Sequence, residues 1–135
     1  MANTATLIDA YPISIKGLGP VLAIRCELDS ISEFTVLTPN GSIAYPDGLS
    51  YKTGGANDRF YVVGISKGTA SSGVLAIKSG SVTLDEFDLS QAIALPIGDN
   101  LIFGGRKGEA LKVQQTVATA TKFTLFVVLG SKLEL

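Results

Sequence analysis

The sequence predicts an all-β chain, folded as an antiparallel sandwich or barrel of about nine or ten short strands with little or no helix. Three observations predict it. Fifteen Gly and five Pro cut the 135 residues into short pieces, of a length at which strands are common and helices are not. Several pieces alternate apolar and polar residues with period two. No segment carries the apolar stripe of an amphipathic helix. A hydrophobic fraction of 46% against 17% charged residues supplies enough apolar area to offset the entropy of ordering the chain. The length suits one domain, placed at residues 20–135, with residues 1–19 as an N-terminal arm or edge segment.

Residues 20–28 alternate, with Leu22, Ile24, Cys26 and Leu28 on one face and Arg25 and Glu27 on the other. Glu33 to Leu37 reads as a second strand. Thr38-Pro39-Asn40-Gly41-Ser42 supplies a turn, because Pro sets φ and Asn-Gly accepts positive φ; Ser42 to Tyr45 follows as the return strand. The polar stretch from Pro46 to Asp58 reads as an exposed loop. Arg59 to Ile65 is apolar on both phases, as a strand covered on both faces would be. Gly73 to Lys78 and Ser81 to Leu84 flank a Ser79-Gly80 turn. Between Thr83 and Gln91 the alternation loses phase, which leaves a short helical turn over Asp85 to Leu89 open. Ala92 to Pro96, Asn100 to Phe103, Ala110 to Val117 and Lys122 to Leu129 complete the strands. In the last of these, Phe123, Leu125, Val127 and Leu129 form one face, yet Phe126 and Val128 occupy the other. A lone sandwich buries one face per strand, so this surplus predicts a subunit contact at Phe126, Val128 and Phe123.

Eleven Lys+Arg against 12 Asp+Glu give a net charge of -1, which argues against a nucleic-acid or anionic-membrane partner. The absence of His removes the usual proton shuttle and the commonest transition-metal ligand. A single cysteine, Cys26, permits no intramolecular disulfide or Cys-cluster metal site, and it falls on an inward phase. The N-terminus lacks the charged patch and apolar run of a signal peptide, so synthesis in a cytoplasm is expected. The run from Phe123 to Leu129 is far shorter than the roughly 20 residues a membrane span needs.

Lys52-Thr53-Gly54 matches a serine β-lactamase box, but the accompanying Ser-x-x-Lys is missing. Gly104 to Gly108, with Arg106 and Lys107, contains the elements of a phosphate cradle without opening a helix, and reads as a hairpin loop. Asp85, Glu86 and Asp88 lack EF-hand spacing and read as a solvated acidic turn. Asn40-Gly41-Ser42 is formally a glycosylation sequon and reads as a turn. No catalytic, cofactor-binding or metal-binding residues are expected, and no enzyme activity.

Residues 95–101 (Leu-Pro-Ile-Gly-Asp-Asn-Leu), 108–113 (Gly-Glu-Ala-Leu-Lys-Val) and 118–128 (Ala-Thr-Ala-Thr-Lys-Phe-Thr-Leu-Phe-Val-Val) together resemble the closing strands of small jelly-roll virion proteins of tailed bacteriophages, among them trimeric capsid decoration (cement) proteins and fibre heads. Ile24, Glu27, Phe34 and Val36 sit where such a fold has its first hairpin. Val63-Gly64-Ile65 followed by residues 75–80 resembles the compact β-fold of another phage head-decoration family. The resemblance implies a jelly-roll-like antiparallel β-sandwich, a homotrimer, the major capsid protein as partner and a place on the capsid surface of the virion. It carries over no catalytic residue. On this reading Tyr11, Ile13 and Ile15 are expected to touch the capsid, with residues 2–19 ordering by strand addition. The alternative is a receptor- or carbohydrate-binding head, which would use exposed Tyr45, Tyr51 and Tyr61.

Overall fold

The computed structural model describes residues 3–14, 20–68, 73–95, 103–118 and 120–130. Twelve strands are found among them and no helix: β1 (Thr4–Ser14), β2 (Pro20–Leu28), β3 (Phe34–Leu37), β4 (Gly41–Ala44), β5 (Ser50–Thr53), β6 (Arg59–Lys67), β7 (Val74–Ser79), β8 (Val82–Asp88), β9 (Ile93–Leu95), β10 (Phe103–Gly104), β11 (Leu111–Gln115) and β12 (Thr121–Gly130). All pairings are antiparallel. One sheet runs β1-β2-β12-β6, with β9 and β10 end to end along the far edge of β6. The second runs β3-β11-β7-β8, and β4 and β5 form a separate hairpin.

With β1 and the β4–β5 hairpin set aside, the pairing is nested: β2 with β12, β3 with β11, β6 with β9 and β10, and β7 with β8. First pairs with last and each inner pair follows suit, which is how one long antiparallel ribbon winds into two packed sheets. The result is an antiparallel β-sandwich. Phe34 and Val36 therefore do not form a first hairpin with Ile24 and Glu27: β2 and β3 belong to opposite sheets, and β2 takes β1 and β12 as neighbours.

The inner faces of the two sheets meet in one core. Leu22, Ile24, Phe60, Ile65 and Leu125 come from the first sheet, and Leu75, Ile77, Leu111 and Val113 from the second, all essentially without solvent exposure. Each such side chain contributes about 1.5–3 kcal/mol through burial. Cys26 lies among them, and burial pushes its thiol pKa far up, so it is an inert core residue. Gln115, 1% exposed, ties the layers together: its Oε1 accepts from Thr121 Oγ1 at 2.7 Å and its Nε2 donates to the Ser30 carbonyl at 3.1 Å.

Three departures from the sequence reading have local causes. The stretch over Asp85 to Leu89 is not a helical turn. Asp85 pairs with Ile77 and Thr83 with Lys78, so Leu84 is an extra residue bulged out of β8, and the bulge accounts for the lost alternation. Residues 46–58 are not all loop, because β5 lies within them and pairs with β4; residues 42–45 thus return along β5 rather than along β3. Buried Thr53 anchors this hairpin, its Oγ1 donating to the Thr38 carbonyl at 2.5 Å and accepting from the Gly41 amide at 3.2 Å. The turn before it is centred on Pro39-Asn40 and not on Asn40-Gly41: the Gly41 amide donates to the Thr38 carbonyl at 3.1 Å, and Asn40 takes the positive φ, 60°, that a type II turn demands at its third residue. Finally, residues 4–14 pair along β2 and form the outer strand of the first sheet. Ile15 and residues 16–19, 96–102 and 131–135 lie outside the described residues.

Candidate interaction surfaces

The outward face of the first sheet divides into a polar and an apolar half. Directly opposed residues in antiparallel strands share a face. Thr6, Arg25, Thr124 and Ser66 are opposed in one row across β1, β2, β12 and β6, and Thr4, Glu27 and Lys122 in the next. Glu27 there lies 3.7 Å from Arg25 and 3.8 Å from Lys122. These are exposed pairs of the kind that contributes little to stability. Toward the other end, Asp9, Ala23, Phe126 and Gly64 are opposed, then Tyr11 with Val21 and Val128 with Tyr61. Val21, Tyr61, Val63 and Val128 form a second buried cluster, with Tyr11 and Phe126 packed against it.

This second cluster decides what the surplus apolar face means. Val128 is 0% exposed and Phe123 3%; Phe123 points into the main core and Val128 into the second cluster. Both are covered within one chain and neither offers area to a neighbour, so the expected subunit contact at Phe123 and Val128 is corrected. Phe126 alone of the three is half-buried. It is opposed by small Ala23 on β2 and Gly64 on β6. Of the expected capsid-facing residues, Tyr11 is half-buried beside this cluster, while the Ile13 side chain and Ile15 lie outside the described residues.

Tyr45 and Tyr51 stand edge to face, with centroids 6.3 Å apart and planes at 82°. Both are half-buried against the main core and Tyr61 is 5% exposed, so these rings staple the hairpin and the second cluster instead of forming an open aromatic platform. Lys52 Nζ donates to Asn40 Oδ1 at 2.9 Å, a hairpin contact, and Thr53 Oγ1 is engaged by backbone. The glycines of 104–108 serve close approach. A Cβ at Gly104 would fall 2.8 Å from the Tyr61 ring, and one at Gly105 2.2 Å from that of Phe60. The segment after β10 crosses from one sheet to the other and is not a hairpin. Asp85, Glu86 and Asp88 lie along β8, the outer strand of the second sheet. Charges and a bulge on an edge strand are the usual means of preventing unwanted strand pairing. Among the described residues no group of three His, Cys, Asp or Glu converges.

On the outward face of the second sheet, Glu33 receives Lys78 Nζ on Oε2 and Lys112 Nζ on Oε1, the latter at 3.1 Å. Lys78 and Lys112 are direct cross-strand neighbours on β7 and β11, so Glu33 relieves a like-charge pair. Their hydrogen bonds hold its carboxyl below the usual glutamate pKa. A lowered carboxylate pKa adds stability above the unfolded-state value, and that stability is lost as pH falls through the folded-state value. Glu33→Gln is therefore expected to flatten the acid limb of the stability curve below the normal glutamate range, read by urea unfolding across pH. An acid limb identical to that of the parent would refute the pairing.

Among the described residues, the large apolar side chains that remain exposed are Ile8 at the β1 bulge, Ile31 and Val117 at one end of the sandwich, Leu49 in the β4–β5 turn and Val82. Near that end, Leu28, Ala120 and Thr121 line a shallow recess of about 380 Å³ with Thr4 and Lys122. No helix among the described residues is long and apolar enough to cross a membrane. Compared with known protein families, with curated proteins and with solved structures, the chain finds no match. The Glu33 cluster and the burial of Lys67 were not foreseen from sequence, because both depend on which strands adjoin and no local spacing encodes that.

Proposed function

We propose that the chain is a structural virion protein, a capsid decoration protein that binds between capsomers and stabilises a phage head. The observation that carries this reading is the nested strand winding, taken with the likeness of residues 95–101, 108–113 and 118–128 to the closing strands of jelly-roll virion proteins. Fold alone does not fix function, so the support is architectural and by resemblance. A rigid sandwich with guarded edges suits a protein whose work is to add buried area across seams between capsomers. A homotrimer would hold three linked footholds, so that release requires all three to let go together. The contact with the major capsid protein would fall on the exposed apolar side chains of Ile31 and Val117 at one end of the sandwich and Leu49 in the β4–β5 turn, and on the β1 edge near Tyr11. The protein would be made in the host cytoplasm and reside on the capsid surface.

The reading is tested by mixing the purified chain with expanded heads of the encoding phage. Co-sedimentation at high, saturable copy number is expected. Binding to cells or glycans with no retention on heads would favour a receptor-binding head instead. Native mass measurement at micromolar concentration is expected to give three times the 14.0 kDa chain mass. A monomer both free and on the head would remove the trimer.

A further inference from the structure

Lys67 closes the far end of β6 with its side chain turned inward. It lies opposite Phe123 of β12 and Ile93 of β9, and it is 3% exposed. An unpaired ammonium at such a position would be strongly disfavoured. Its Nζ donates to the carbonyl oxygens of Gly68 at 2.9 Å, of Leu89 at 3.4 Å and of Gln91. An ammonium has three donors and no acceptor, and here three acceptors meet it, drawn from two segments more than twenty residues apart in sequence. The adjacent carboxylate does not take part directly. Asp88 Oδ1 instead accepts from Ser90 N at 2.9 Å and from Ser90 Oγ at 2.8 Å, acting on Lys67 only through its field. Burial lowers the Lys67 pKa and Asp88 opposes that shift, so the charge is held at a cost that the carbonyls offset.

We propose that the carbonyl oxygens of Gly68, Leu89 and Gln91 form a monovalent-cation site whose resident is the Lys67 ammonium, and that this internal cation clamps the β8–β9 turn onto the end of β6. Converging backbone carbonyls are the ligand set that replaces the hydration shell of potassium in proteins, and an ammonium group presents a similar size and charge. The clamp fixes the course of residues 89–92 at one end of the sandwich, independently of what binds there. Shortening Lys67 should therefore leave a vacancy that a free cation of matching size fills.

The test is Lys67→Ala, unfolded thermally in equal concentrations of potassium, methylammonium and tetramethylammonium chloride. Potassium or methylammonium is expected to raise its midpoint by about 4 °C over tetramethylammonium, which is too bulky to enter, while the parent chain shows no such difference. Equal midpoints in all three salts, or an equal shift in the parent, would overturn the cation site. If Lys67→Ala does not fold in any of them, Lys67→Met, which keeps the apolar stem, gives the deciding measurement. Exchange of the Leu89 and Gln91 amides, which donate to the Gly73 and Asp88 carbonyls, should then quicken more than tenfold while β11 amides stay unchanged. Unaltered exchange at both would overturn the clamp.

Discussion

Gly105→Ala is expected to destabilise the chain by about 2–3 kcal/mol, seen as a lower urea midpoint with an unchanged slope. A Cβ at position 105 would lie 2.2 Å from Phe60 Cε2, 2.5 Å from Cζ and 2.7 Å from Cδ2. The ring has nowhere to go, because Phe60 is 0% exposed and among the largest fully buried side chains. The backbones cannot part cheaply either: the Gly105 amide donates to the Phe60 carbonyl at 2.8 Å, and separation would break that bond. The two residues should be coupled. In a Phe60→Leu background, where the ring atoms that a new methyl would strike are gone, the same glycine substitution should cost less, with a coupling energy of roughly 1 kcal/mol or more. Additive costs would mean that the crossover after β10 can lift away from β6, and the reading of Gly104-Gly105 as a close-approach element would fail.

The strands that were legible in the sequence are those whose burial pattern is simple. In β2 the alternation of Leu22, Ile24, Cys26 and Leu28 faces a continuous core. In β6 and β12, apolar residues on both phases correctly signal two covered faces. Where the strand itself is irregular, period-two reasoning fails for a physical reason. Leu84 in β8 and Ile8 in β1 are extra residues in the register, and each flips the phase of the residues after it. Val63 in β6 does the same where Gly64 and Val62 pair with Phe126 and Val127, but there both faces are apolar and the slip leaves no trace. β5 was invisible because its four residues, Ser50-Tyr51-Lys52-Thr53, pair only with β4 and alternate Tyr51 and Thr53 inward with only the aromatic ring apolar. The surface was less legible than the fold: double burial of β12 implies a cover, and composition cannot say whether that cover belongs to the same chain.

Val128 separates those two covers experimentally. Val128→Asp is expected to abolish cooperative folding, because a carboxylate in the cluster of Val21, Tyr61 and Val63 would be buried among apolar side chains. Such a substitution costs upward of about 4 kcal/mol, a large part of the roughly 5–15 kcal/mol by which a domain of this kind is stable. Loss of the unfolding transition and of dispersed amide resonances would register it. Were β12 instead covered by a neighbouring subunit, the same substitution would leave a folded monomer and simply prevent association. Phe126→Ser supplies the contrast. Its ring is half-buried between Ala23 and Gly64, so its loss should cost about 1–2 kcal/mol and leave the chain folded. A change in native mass for Phe126→Ser alone would then locate the subunit contact on the narrow strip that the second cluster leaves uncovered. An unchanged mass would move any assembly surface to Ile31 and Val117 at one end of the sandwich or to Leu49 in the β4–β5 turn, all of which stand exposed.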